Sequence, residues 1–257
     1  MKYKCLVALP LVFVGCLASV PVMFPVRDIS RSRRAEGGYL VRSVVDRAQV
    51  IFPASDWKFL ESTSPGANYL IEPATGSCLR FHSISFGHQF KEFLLWGYTI
   101  RENQWAEELK RVVNDEERQV RFLQEWIKRA LSQGEIDQTN NLAIVYPLLE
   151  RNQSAAILYP LKLDPLQQSV NVNRQLIGSH RFVYAEIRTS SKTGNRQILF
   201  NSSIYISYLR YIPRLDSWQF FAAFSHIPID LRPEQARAVQ ELFFRTLATL
   251  SIDLLRE

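Results

Sequence analysis

The sequence predicts an α+β protein: a mostly antiparallel sheet with two long amphipathic helices, preceded by an N-terminal apolar signal or anchor segment. Three observations carry this prediction. The C-terminal third holds three runs rich in β-branched and aromatic residues, separated by turn-forming stretches. Two other segments repeat apolar residues at three- and four-residue steps, the spacing of one helical face. Cys5 to Val26 is a stretch of 22 residues without a charge.

As a helix, that uncharged stretch would be about 33 Å long, against a hydrocarbon core of about 30 Å. Lys2 and Lys4 precede it as a basic n-region. Val14-Gly15-Cys16 then resembles the end of the lipobox in bacterial lipoprotein signals, and the resemblance implies lipid (palmitate-type) attachment at Cys16. Two other readings stay open. Ordinary signal cleavage after Ala18 would use Cys16 and Ala18 as the small residues, and an uncleaved anchor would keep the whole segment. The cluster Arg27, Arg31, Arg33 and Arg34 weighs on orientation, because basic residues beside a span tend to stay in the cytoplasm. The expected organisation is a signal peptide or anchor over residues 1–26, a basic flexible tether over 27–41 containing Gly37-Gly38, and a single α+β domain over 42–257.

Within that domain, 44–52, 69–71 and 78–86 read as strands, with a turn over 62–66. Trp105, Leu109, Val112, Val113, Val120, Leu123, Ile127 and Leu131 place a helix over about 103–132. Ala143 to Leu148 is nearly repeated as Ala156 to Leu161, two short strands joined by polar residues. The Gln- and Asn-rich segment 164–179 reads as a loop. Strands over 182–189, 198–212 and 218–227 form a meander, and Pro233 opens a closing helix whose apolar positions run from Ala236 to Leu254.

In the last strand Trp218, Phe220, Ala222 and Phe224 have one parity, and Phe221, Ala223 and Ile227 the other. Both faces of the sheet must then be covered. The candidates are the 103–132 helix, an apolar ligand or a partner protein, which makes Trp218, Phe220 and Phe224 the candidate ligand or partner surface.

Composition narrows function further. Of 31 basic and 25 acidic side chains, residues 1–34 hold six and one, so the remaining body is close to neutral. A phosphate-tracking surface needs a dense basic stripe, and none is present, so no nucleic-acid partner is expected. Cys78 is the single thiol beyond the leader, which excludes an internal disulfide there. No glycine-rich phosphate loop, serine elbow, metalloprotease helix or paired-cysteine motif occurs, and His82, His88, His180 and His226 are dispersed. No cofactor, metal or catalytic residue is assigned. The expectation is a membrane-tethered envelope protein that binds a partner or an apolar ligand without catalysis. The alternative is a hydrolase using His82 or His88 with a serine or carboxylate brought from elsewhere in the fold; the adjacent Ser83 and Ser85 form a local cluster with them, but in a strand His82 points to the side opposite Ser83.

Overall fold

The computed structural model describes residues 23–42, 48–61, 67–87, 92–95, 98–101, 115–132, 143–147, 155–163, 171–193, 195–212 and 217–252. It is mostly antiparallel sheet with two helices. An 11-stranded sheet dominates. Its central strands are β14 (His180–Thr193), β15 (Arg196–Ile212) and β16 (Ser217–Pro228), antiparallel neighbours in the expected meander. On one side β16 pairs with β8 (Cys78–Gly87), then β7 (Ala67–Ile71), β6 (Lys58–Glu61) and β2 (Arg27–Asp28). On the other side β14 pairs with β12 (Ala155–Leu163), whose first half pairs with β11 (Ala143–Pro147) and β1 (Met23–Pro25). The two near-repeated segments are therefore partners, joined from Ala143 opposite Pro160 to Pro147 opposite Ala156.

The sheet is rolled. Although β11 and β7 lie far apart in pairing order, β11 comes back against β7. Antiparallel sheets of this size curl because each strand adds its share of right-handed twist.

One face of the large sheet packs on a four-stranded sheet and a helix. The small sheet contains β3 (Arg34–Ala35), β4 (Gly38–Arg42), β5 (Ala48–Phe52) and β17 (Ser251–Ile252), and the helix is α2 (Pro233–Leu247). Phe59, Leu79, Phe81, Tyr205, Phe221, Ala223 and Ile227 of the large sheet form one core with Val41, Val50, Phe52, Val239, Phe243 and Leu247. The described side chains in the middle of the other face are buried as well. On that second face α1 (Glu116–Ser132) packs on β14 and on β13 (Val172–Ile177), burying Val120 and Leu123. Arg174 of β13 holds it by an ion pair to Glu117 (2.9 Å) and a hydrogen bond to Gln124 (3.2 Å).

Several expectations are corrected here. The expected helix over 103–132 is described only from Glu116; its earlier part, 103–114, lies outside the described residues. Asp115 supplies the N-cap, its carboxylate accepting from the Arg118 amide at 3.1 Å and its carbonyl from the Gln119 amide at 2.9 Å. Asp115→Ala should cost about 1 kcal/mol. The measurement is amide exchange, with lost protection concentrated in the first turn of α1. The closing helix stops at Leu247, short of Leu254, because Thr249 leaves the helical path to bond the small sheet. Its hydroxyl accepts from the Ile51 amide at 2.7 Å, and Ser251–Ile252 then pairs with β5.

The segment 164–179, expected as a loop, contributes edge strand β13, which ends in a turn at Gly178. That glycine has φ +59°, and a Cβ on it would meet the Ala248 carbonyl oxygen at 2.7 Å. Residues 27–41 are part of the fold and not a free tether. They contain β2, a short 3-10 turn (Ile29–Arg31), β3 and β4, with Ile29 fully buried and Val41 nearly so. Gly38 lets β4 approach β5, since a Cβ there would come within 2.3 Å of the Phe52 carbonyl oxygen. Met23–Pro25, within the expected leader, is a strand of the large sheet. Residues 1–22 lie outside the described residues, and among those described no helix is long and apolar enough to cross a membrane.

Candidate functional site

The second face carries the features of chemical interest. Strand alternation places Tyr69, Ile71, Cys78, Arg80, Ala222, Phe224, His226, Ser202, Ile204, Ile187 and Thr189 on this one face, through the pairs Tyr69–Arg80, Arg80–Phe224, Phe224–Ile204, Cys78–His226, His226–Ser202 and Ser202–Ile187. All of them are buried.

Within this apolar lining a polar and aromatic track crosses five neighbouring strands. The Arg80 guanidinium lies over the rings of Tyr69 (5.3 Å) and Phe224 (5.2 Å). Phe224 stacks on the His226 imidazole with ring centroids 6.4 Å apart. His226 Nδ1 shares a hydrogen bond with Ser202 Oγ at 2.9 Å, and Ser202 Oγ shares another with Thr189 Oγ1 at 2.6 Å. A cation between two ring faces is attracted by both quadrupoles, and that attraction grows when water is excluded. Arg80 is 6% exposed, so it sits in that regime.

Burial decides the protonation of the track. Desolvation, with the Arg80 charge second, lowers the His226 imidazole to about 3. It is neutral at physiological pH, which suits a hydrogen bond to a hydroxyl. As a general base such an imidazole is weak, because base strength falls with its pKa. A Ser202–His226 pair held at 1% and 2% exposure is thus better suited to organising the interior than to activating a nucleophile. Burial likewise pushes the Tyr69 phenol up, partly offset by Arg80.

The sequence-based candidates fall as follows. Phe224 is fully buried on the track, under Arg80. Trp218 and Phe220 lie in β16 opposite Phe86 and Ile84 of β8, at register positions of the same parity as Phe224; their side chains lie outside the described residues. His82, Ser83 and Ser85 are in β8, opposite Ala222, Phe221 and Gln219, again with side chains outside the described set. His88 and Cys16 lie outside the described residues altogether. His180 caps the C-terminal segment, its Nε2 2.9 Å from the Leu250 carbonyl oxygen.

The residues that sequence reasoning missed are Arg80, His226, Ser202 and Thr189. One signal was available: His226 continues the Trp218, Phe220, Ala222, Phe224 alternation by one step. Among the described residues no group of three or more His, Cys, Asp or Glu side chains is placed to hold a metal ion. No family model, no curated protein and no solved structure matches this chain.

Proposed function

We propose that the chain is a membrane-tethered envelope protein, lipidated at Cys16, with a non-catalytic role: it holds an apolar ligand in the interior of its rolled sheet. The observation that carries this reading is the buried second face, mostly apolar and crossed by the Tyr69–Arg80–Phe224–His226–Ser202–Thr189 track. A scaffold selected only for stability gains little from a buried cation. Replacing buried ionic groups by packed apolar ones is often neutral or stabilising, whatever the ion is paired with. A polar track inside an apolar enclosure instead suits an orienting role toward a mostly apolar guest.

The position of β1 bears on the choice between a lipid anchor and a membrane span. With Met23 already in the sheet, the uncharged stretch left for a span shrinks from 22 residues to the 18 between Cys5 and Val22. Attachment at Cys16 needs no span at all.

Two measurements test the proposal. Cys16→Ala should abolish incorporation of labelled palmitate and either release the protein from the membrane fraction or leave it unprocessed. Unchanged acylation and localisation would rule out the anchor. Native mass spectrometry of the detergent-extracted full chain should show a co-purified apolar small molecule. A protein partner bound in its place, or a filled and ligand-free interior, would replace the ligand reading.

A further inference from the structure

The geometry points to a second membrane contact: the arginine-rich turn joining the edges of the two sheets docks on anionic phospholipid headgroups. This rests on the tether reading above and adds to it a lipid-selective surface.

Arg27, Arg31, Arg33 and Arg34 are all exposed: Arg27 is in β2, the outermost strand of the large sheet, Arg34 in β3, that of the small one, and Arg31 and Arg33 lie between them. From Arg27 to Arg34 the chain covers at most about 25 Å even if fully extended, so the four charges cluster along one short ridge of chain whichever way each side chain points. The ridge is fixed from below. Ile29 is fully buried and donates its amide to the Trp57 carbonyl oxygen at 3.0 Å, while the Leu40 amide bonds the Arg33 carbonyl oxygen at 2.8 Å. Its ends are braced by rings, Arg27 over Phe59 at 4.9 Å and Arg34 over Tyr39 at 5.9 Å.

Neighbouring charges leave the ridge positive. Asp28 is taken up by an ion pair with Lys58, which, with the nearby Arg31, holds its carboxyl below the usual range. Among the described residues Glu36 and Asp56 are the exposed acids on the adjoining turns, two against Arg31, Arg33 and Arg34.

Chain length places this ridge near a bilayer. Met23 is seven residues beyond Cys16, a reach of at most about 25 Å, and only Pro25 and Val26 separate Phe24 from Arg27. A basic cluster within that reach meets the negative potential of anionic lipids, which acts within a Debye length of the surface. The ridge thereby sets which side of the rolled sheet faces the membrane.

The test uses the full chain and its R31Q/R33Q/R34Q variant, titrated with vesicles of phosphatidylcholine alone or with added phosphatidylglycerol, at low and high salt. Wild type should prefer the anionic vesicles, with amide protection gained over residues 27–42 and lost at high salt. The triple variant should lose roughly a hundredfold of that preference, and R31K/R33K/R34K should restore it. Equal partition of wild type into both vesicle types, or a glutamine variant indistinguishable from wild type, overturns the docking ridge while leaving the tether intact. Failure of the wild-type chain to associate with either vesicle overturns both.

Discussion

Lowering the pH from 6.5 toward 3 should destabilise this protein progressively, and replacing His226 should remove much of that loss. In the folded chain the imidazole is held to about 3 by burial and by the Arg80 charge, against 6.5 for the unperturbed group. Between those values the unfolded chain binds a proton that the folded chain refuses, so stability rises with pH across the window. The penalty is absent above about 6.5, grows as the pH falls, and saturates below about 3. At 1.36 kcal/mol per pKa unit it reaches up to about 5 kcal/mol, a large share of the 5–15 kcal/mol that holds a typical protein folded. Asp28 also loses its Lys58 interaction in acid, but below the ordinary carboxylate range. The diagnostic interval is therefore pH 6.5 to 4.5. The measurement is the urea midpoint of wild type and His226→Gln across that interval. The variant should start lower at pH 7, with Ser202 and Thr189 repacked, yet show a flatter slope. Parallel slopes would mean that His226 takes up its proton as readily folded as unfolded.

Phe243→Ala should cost about 3–5 kcal/mol. This ring is fully buried on α2, where the helix, the small sheet and the filled face of the large sheet meet. It touches Phe81 (6.1 Å between centroids), Tyr205 (5.5 Å) and Phe244 (6.0 Å). Truncation removes its own transfer free energy and leaves a cavity lined by rings that cannot all move inward. Arg237→Ala, on the exposed side of the same helix, should stay within about 0.5 kcal/mol of wild type. Urea denaturation of both variants gives the comparison. A Phe243→Ala loss no larger than that of Arg237→Ala would show that this aromatic cluster does not hold the two sheets together.

Much of the architecture was legible before any coordinates. The meander of β14, β15 and β16 follows from β-branched and aromatic runs separated by turn residues, because that chemistry is local. Opposite parities in β16 predicted a sheet covered on both faces, and Phe221 through Pro228 are buried. Pro233 marked the start of α2 because its fixed φ and missing N–H suit a first helical turn.

Short and edge elements were not legible. In β13 only Val172 and Ile177 are buried, one at each end, with Asn173, Arg174, Gln175 and an exposed Leu176 between them, so its sequence carries no strand alternation. Residues 27–41 read as a tether because charged residues, serine and glycine together outnumber their apolar side chains. The burial of Ile29, Tyr39 and Val41 depends on partners far along the chain.

What the amino-acid order determined by itself is the set of properties that depend on near neighbours: an uncharged stretch from Cys5 to Val26, a basic cluster after it, a nearly neutral body, and strands and helices of set period. Only the tertiary structure decided that Tyr69, Arg80, Thr189, Ser202, Phe224 and His226 would share one buried face. Each of these residues alone reads as an ordinary strand position. It is the antiparallel register of five strands, and the roll that brings β11 against β7, that removes them from water and thereby makes one histidine neutral and one arginine a buried cation.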